Sequence, residues 1–293
     1  GVALTTGPGL VGSLLVGAGI GSAWAWARGL PVLPVNHLEG HLRAAWLREA
    51  ADVDAPTLPA IGLVVSGGHT LLVRVERDGA MQRLGGTIDD AAGEAFDKIA
   101  RLLGAPYPGG AALSALAAKA PRGAPITPLP IAKTEGPYDF SFSGVKTAAI
   151  RQALVASGRT DQSPGRAATL TRQFAEHPLP EAAAIAIAAA TEQAIVGALR
   201  AGVQRALRAN PDCSLIVGGG VAANGPLRAA LTSVASEERR TLVVPPLKWC
   251  TDNAAMIGAA GDALLRDQRG AYQEPSAGLE VHAQWRIGTA VPA

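Results

Sequence analysis

His37 and His41 are two of five histidines in the chain, four residues apart in Asn36-His37-Leu38-Glu39-Gly40-His41. On a helix, positions i and i+4 share a face with side chains about 6 Å apart, which lets two imidazoles take one ion. A Zn2+ ion would want His nitrogens at about 2.0–2.1 Å and at least one further ligand. Pairs of this spacing also stand on exposed helix faces without metal, so the pair alone leaves both readings open. Glu39 invites peptidase chemistry, whose pattern sets the Glu directly after the first His. Here it is second, about 200° round the helix from His37 at about 100° per residue. That aims it away from a metal-bound water, toward solvent or a supporting place, and disfavours a metalloprotease.

Asp252, in Lys248-Trp249-Cys250-Thr251-Asp252-Asn253, is the candidate third ligand, or equally a helix cap. The neighbouring Cys250 could ligate too, though a lone Cys is more often a small core residue. Two glycine turns suggest an anion or nucleotide. The first is Val64-Val65-Ser66-Gly67-Gly68-His69-Thr70, where a buried strand runs into glycines that expose backbone N–H groups. It also reads as a plain hairpin turn. The second, Ile216 to Asn224, ends a strand in Gly218-Gly219-Gly220 before a helix that Asn224 would cap or open toward a ligand. With Gly109-Gly110 they point to a nucleotide held between two lobes. Asp90, Glu94 and Asp97 share a face if helical; Asp97 could bond ribose hydroxyls, or the group could be a solvated acidic face beside Lys98 and Arg101. Lys146, near a helix start after Phe140 and Phe142, could meet phosphate or RNA or lie on the surface.

Placing these residues requires alternating elements. A strand at Gly1–Thr6 precedes an apolar helix at Leu10–Arg28, and a short strand then leads into a helix from Leu38 to about Ala51. Two strands flank Gly67-Gly68, and Ile88–Gly104 reads as a helix with an acidic first turn. Further helices open at Pro108 and Phe140. A surface loop with at most a short helix spans about 156–180, and a long helix starts at Glu181. Strand, glycine turn and helix follow from Cys213, then a strand at Thr241–Pro246 and a helix from Asn253 to Arg266. The pattern predicts an α/β fold. A Pro-rich seam near Asp54–Leu58 divides residues 1–57, the remainder of a first lobe with the metal-binding helix, from 58–266, a second lobe with the glycine turns. A loop-like tail covers 267–293.

The chain is 48% hydrophobic and 17% charged, which excludes a disordered protein. A net charge of +2 argues neither for nor against nucleic acid. Arg200, Arg205 and Arg208 read as a solvated helix face. Two cysteines make no disulfide framework and fit a reducing compartment. Residues 1–27 carry no charge and contain a GxxxG spacing, but the Gly-Pro-Gly turn at residues 7–9 favours a soluble helix buried on several sides over a membrane span.

Seven segments in order carry a resemblance: TTGPGLVGSLLVG, VNHLEGHLRA, LVVSGGHTLLV, DDAAGEAFDKIARLLGAPYPGG, YDFSFSGVKT, VGGGVAANGPLR and PPLKWCTDNAAMIGAAG. Together they resemble the bacterial tRNA adenosine threonylcarbamoyltransferase family, once labelled O-sialoglycoprotein endopeptidases, over nearly the whole chain. The resemblance implies the two-lobed actin-like ATPase (ASKHA) fold with a ligand cleft between lobes, here with a truncated first lobe. It implies transfer of threonylcarbamoyl from threonylcarbamoyl-adenylate to the N6 amine of the adenosine 3′ of the anticodon, in tRNAs reading ANN codons. By it, His37, His41 and Asp252 hold one divalent ion, Fe2+ or Zn2+, and Val64, Val65, Ser66, Gly67, Gly68, Asp97, Gly110 and Asn224 bind the adenylate. No covalent nucleophile is implied. A smaller actin-like paralogue, a P-loop ATPase, a cytoplasmic setting and no membrane are further expectations. The chain departs from the family in lacking its opening strands, in Ala111 where Pro is common, and in Ser114 where many members have an Asp that contacts ribose. The alternative is an inactive actin-like nucleotide-binding scaffold.

Overall fold

The computed structural model describes residues 1–47, 55–158 and 167–292. The first unit is a parallel β-α-β. Strand β1 (Val2–Gly7) and strand β2 (Val32–Asn36) pair from Val2↔Val32 to Gly7↔Asn36, joined by helix α1 (Val11–Ala27). Helix α2 (His37–Arg43) follows β2 with no intervening loop. Asn36 makes that abrupt start possible, because its Oδ1 accepts from the N–H of Leu38 at 2.9 Å and of Glu39 at 3.4 Å.

A second sheet runs in the order β5-β4-β3-β6-β7. Its strands are β3 (Ala60–Val65), β4 (Thr70–Val75), β5 (Met81–Gly86), β6 (Ser214–Gly218) and β7 (Leu242–Val243). β3 pairs antiparallel with β4 across Ser66–His69 and parallel with β6, Val64 facing Gly218. The carboxyl ends of β3 and β6, each running into glycines, therefore lie side by side. Crevices at such strand ends are the usual ligand sites of open α/β sheets. Sequence reading did not foresee β5. Gln82 and Arg83 are consecutive exposed residues and Gly85-Gly86 ends the strand, so no alternation shows.

The remaining helices are α3 (Ala92–Leu102), α4 (Gly109–Ala117), α5 (Ser143–Ala156), α6 (Ala167–Glu176), α7 (Glu181–Ala209), α8 (Gly225–Glu237), α9 (Leu247–Cys250) and α10 (Ala254–Arg266). On one face of the large sheet, α3, α5 and α7 bury Phe96, Ile99, Phe142, Ile195 and Leu199. On the other, Leu42 of α2 packs with Val64, Val73 and Ile216. Under α10, Leu33 and Val35 of β2 meet Met256, Ile257 and Leu264.

Several expectations are corrected. α2 ends at Arg43, a 3-10 turn covers Ala44–Trp46, and Leu47 is extended; residues 48–51 of the expected helix, like Asp54 at the seam, lie outside the described residues. α3 starts at Ala92 rather than Ile88, because Asp89 is engaged elsewhere. Its carboxylate accepts from Ser141 Oγ, Ser143 Oγ at 2.7 Å and the N–H of Phe142 at 2.8 Å, tying the turn to the start of α5. The short helix allowed within the expected loop at 156–180 is present as α6 at residues 167–176, and 159–166 lie outside the described residues. α1 is not buried on several sides. Leu14, Ala18 and Ala25 face inward, while Leu15, Val16, Ile20 and Trp26 are 55%, 62%, 69% and 69% exposed. Apolar residues encircle this helix and a two-stranded sheet covers one face of it. Among the described residues α7 is the one helix long and apolar enough to cross a membrane, and its side chains build the main core. The tail folds back: the His282 N–H donates to Thr6 O at 2.8 Å, Asn36 Nδ2 donates to Trp285 O at 3.2 Å, and Ile287 is buried beside β4.

Candidate active site

α2 carries the site because tertiary packing leaves it one possible seat. The end of β6 presses on it: a Cβ added at Gly218 would stand 2.3 Å from the His41 carbonyl oxygen. α10 presses from another side, where a Cβ at Gly40 would meet Ile257 Cδ1 at 2.8 Å. With those faces fixed, His37 and His41 project together, ring centroids 4.6 Å apart at 76°. Asp252 sits one residue before Asn253, whose side chain caps α10 by accepting from the Met256 N–H at 2.9 Å. Asp252 is thus not the cap. Its Oδ1 lies 3.2 Å from His41 Nε2 and 3.6 Å from His37 Nε2. Ligand atoms of the three residues all fall within 4.8 Å of one another.

The donor set fits a divalent ion. His41 is 1% exposed, yet neither ring nitrogen has a hydrogen-bond partner; the 3.2 Å approach of Nε2 to Asp252 is not aligned as a hydrogen bond. Buried polar atoms are rarely left so, and an ion between the rings and the carboxylate would satisfy Nε2. Burial pushes the His37 imidazole down to about 4, assisted by the like charge of His41 and opposed by Asp252. The contact with His41 holds the Asp252 carboxyl below its usual range, against its own desolvation. At neutral pH His37 is therefore neutral and Asp252 ionised, the protonation states a metal requires. Both Zn2+ and Fe2+ suit two imidazoles and a carboxylate.

His37 and Asp252 open onto a cleft of about 960 Å3 whose far wall is Ser66, Gly67 and Gly68. The turn is closed by Ser66 N–H donating to His69 O at 2.8 Å and His69 N–H donating to Ser66 Oγ at 3.2 Å. Cβ positions at Gly67 and Gly68 face open space, so a ligand can come against their backbone. His69 lines the same cleft, and burial, then His41, lowers its imidazole. Its residue type and spacing assign His69 no role; the available signal is its place directly after the glycines.

Val64 and Val65 are fully buried in β3 and can offer only backbone. Asp97, Gly110 and Asn224 do not line the cleft of the histidines. They form a second group joined through α4. A Cβ at Gly109 would meet Asp97 Oδ1 at 2.7 Å, so the start of α4 lies directly on Asp97. One turn after Gly110, Ser114 Oγ accepts from Asn224 Nδ2 at 2.7 Å, and both donate to Glu192 of α7. Asn224 Oδ1 also caps α8 through the Leu227 N–H at 2.8 Å. α3 connects the groups, since a Cβ at Gly93 would stand 2.5 Å from Ser66 O.

Other candidates are engaged in structure. Lys146 Nζ lies 2.8 Å from Asp90, which also takes Lys98 at 2.7 Å, so Asp90 cross-links α3 and α5 rather than joining an acidic helix face. Cys250 is buried against Arg228, 3.2 Å from its Nη2, and stands outside the ligand trio. Arg200 pairs with Glu237 at the end of α8, and Arg208 with Glu238 just beyond it.

A family model described as tRNA N6-adenosine threonylcarbamoyltransferase matches residues 1–259. A protein of that name from Anaeromyxobacter dehalogenans (strain 2CP-1 / ATCC BAA-258) is 46% identical over 291 residues, 98% of this chain and 77% of that one. One from Bordetella petrii is 43% identical over 286 residues, 98% of this chain and 76% of the other. Among solved structures, HypF of T. kodakarensis aligns with TM-score 0.56 at 14% identity, over 90% of this chain and 40% of that chain. That likeness is one of fold and agrees with the α/β actin-like architecture expected from the sequence. With the family model spanning residues 1–259 and relatives above 40% identity along nearly its full length, the chain belongs to the tRNA N6-adenosine threonylcarbamoyltransferase family.

Proposed function

We propose that the chain transfers a threonylcarbamoyl group from threonylcarbamoyl-adenylate to the N6 amine of the adenosine 3′ of the anticodon, in tRNAs reading ANN codons. The observation that carries this reading is the convergence of His37, His41 and Asp252 within 4.8 Å at the edge of a cleft walled by the Ser66–Gly68 turn. A divalent ion held by those three residues, Fe2+ or Zn2+, would supply Lewis-acid polarisation of a carbamoyl or carboxylate oxygen. The backbone of Gly67 and Gly68 is open to the donor's phosphate and favours its negative charge as it departs. To the second group we assign the nucleoside end of the donor: Asp97 bonds ribose, Asn224 exchanges its bonds to Ser114 and Glu192 for the ligand, and Gly110 lets the nucleotide approach α4 closely. Glu192, bonded to Ser114 and Asn224, brings a carboxylate next to Ser114, where the family often has Asp.

The donor is a mixed anhydride and needs no covalent nucleophile. The amine forms a C–N bond to the carbamoyl carbon, the C–O bond to phosphate breaks, adenylate takes the electron pair, and the amine proton passes to solvent or to the leaving phosphate. The site's contribution is to hold both partners at contact distance.

The exposed Leu15, Val16, Ile20 and Trp26 of α1 support an apolar partner surface, for which we assign the smaller actin-like paralogue; a P-loop ATPase completes the system, in the cytoplasm. We divide the lobes near residue 57, with α10 packing back on the first sheet. The test is mass analysis of tRNA nucleosides after incubation with the chain, the adenylate and both partners. Modified adenosine with wild type and none with His41→Ala is expected; modification by both, or by neither, removes the proposal.

A further inference from the structure

Beneath the histidine face of α2 lies a second i,i+4 pair, Glu39 and Arg43, on the opposite side of the same seven-residue helix. Neither reaches solvent, at 5% and 6% exposure. Glu39 was read from sequence as a solvent or supporting group, and its burial decides between the two. Its Oε1 accepts from Arg269 Nη2 at 2.7 Å and lies 3.7 Å from Arg43 Nε. Arg43 Nη2 bonds Asp267 Oδ2 at 3.0 Å, and Arg269 Nη2 is 3.5 Å from the same oxygen. Two anions and two cations thus close a neutral four-membered ring of charge. The β4–β5 turn covers it, for a Cβ at Gly79 would fall on Asp267 Oδ2 and within 2.8 Å of Arg43 Nη2. The Arg43 guanidinium also lies 5.1 Å from the centre of the Trp46 ring.

The partners' places in the chain give the cluster its meaning. Asp267 and Arg269 lie just past the carboxyl end of α10, and Asp252 lies just before its amino end. α10 is therefore tied to α2 at both ends, by ligand atoms at one and by charges at the other, with Gly40 against Ile257 between them. α2 is too short to hold its own conformation, since isolated helices below about 12 residues are marginal in water. Something outside it must fix its rotation and tilt, and those fix the distance from each imidazole to Asp252.

We propose that Glu39, Arg43, Asp267 and Arg269 are positioning residues that lock α2 on α10 and so set the spread of the His37–His41–Asp252 ligand set. The inference rests on the metal reading above. Supporting residues around a metal site typically change its affinity about 10- to 100-fold when altered.

The test uses the full chain, stripped of metal and titrated with Co2+, with the visible ligand-field spectrum recorded. The variant Glu39→Gln/Arg269→Gln removes one charge of each sign, is isosteric at position 39, shortens the side chain at 269 and leaves the Arg43–Asp267 pair. Because both charges go together and neither is left unpaired, its urea midpoint should fall less than that of Glu39→Gln or Arg269→Gln alone. Expected are a Co2+ dissociation constant about 10- to 100-fold higher, an altered ligand-field band, and partial recovery in Glu39→Asp, which keeps the pair's charge. An unchanged constant and spectrum overturn the proposal, whether or not the urea midpoint falls. If wild type and His41→Ala take up Co2+ equally, the metal reading fails and this proposal falls with it; if only wild type binds, the metal reading stands and the Gln variant alone judges the clamp.

Discussion

α7 and α2 are helices of opposite kinds. α7 runs 29 residues, and its inner face, Ile187, Ile195, Leu199 and Val203, is sealed in the main core. α2 runs 7 residues and carries two histidines, a glutamate and an arginine, nearly all buried. α7 is held by apolar area, and any similar residue would serve at most positions. α2 is held by named atoms: an Asn36 cap, a glycine-sized approach at Gly40 and Gly218, and a ring of charge. The contrast separates the scaffold, which tolerates change, from the site, which is over-determined because its ligands must meet within a fraction of an ångström.

The comparison can be broken in order of expected effect. His41→Ala should abolish Co2+ uptake and tRNA modification, with affinity falling by more than the roughly 100-fold seen for supporting residues, while unfolding by urea stays cooperative. Leu199→Ala in α7 should do the reverse, lowering stability by about 2–5 kcal/mol in urea while the folded fraction keeps its Co2+ affinity. If it weakens Co2+ binding in the folded protein, scaffold and site are not separable. Asn36→Ala removes the cap of α2 and the bond to Trp285, and should cost about 1 kcal/mol with a measurable loss of Co2+ affinity. An effect on stability alone would mean that α2 does not need its cap to hold the histidines.

The smallest effect concerns pH. His37 titrates near 4 in the folded metal-free protein against about 6.5 unfolded. Between those values the unfolded chain binds the extra proton, so stability is full above about 6.5 and declines as pH falls toward 4. His37→Asn should flatten that part of the metal-free stability profile. An identical slope in the variant would show that His37 is not desolvated as its burial implies.

Much of the site was legible in the sequence, and unevenly so. His37 and His41 stood out by their spacing, Asp252 was a ligand or a helix cap until the family resemblance joined it to them, and the chain brings the three together across more than 200 positions. The glycines at the ends of β3 and β6 were legible because a tight turn or a close approach explains Gly67-Gly68 and Gly218-Gly219-Gly220 directly after strands rich in β-branched residues. α7 was read from Glu181 to within a few residues of its end, since apolar content over so long a span overrides local noise. α2 was read several residues too long. Its end is set by packing against β6 and α10, contacts with elements nearly 200 residues away. The sequence set Asp90 on an acidic helix face and left Lys146 to phosphate, RNA or the surface, and only the meeting of α3 and α5 pairs them.

Residue types and spacing thus determined which groups could bind an ion and an anion, and which long segments would be helix or strand, because hydrophobic period and turn chemistry are local properties. The fold decided that Glu39 is buried in a ring of charge, that His69 shares the cleft, and that the histidines face one carboxylate. Those facts depend on how α10 crosses α2 and where the tail returns. Such crossings arise from the sum of many weak contacts over the whole chain, and no short stretch of sequence encodes them.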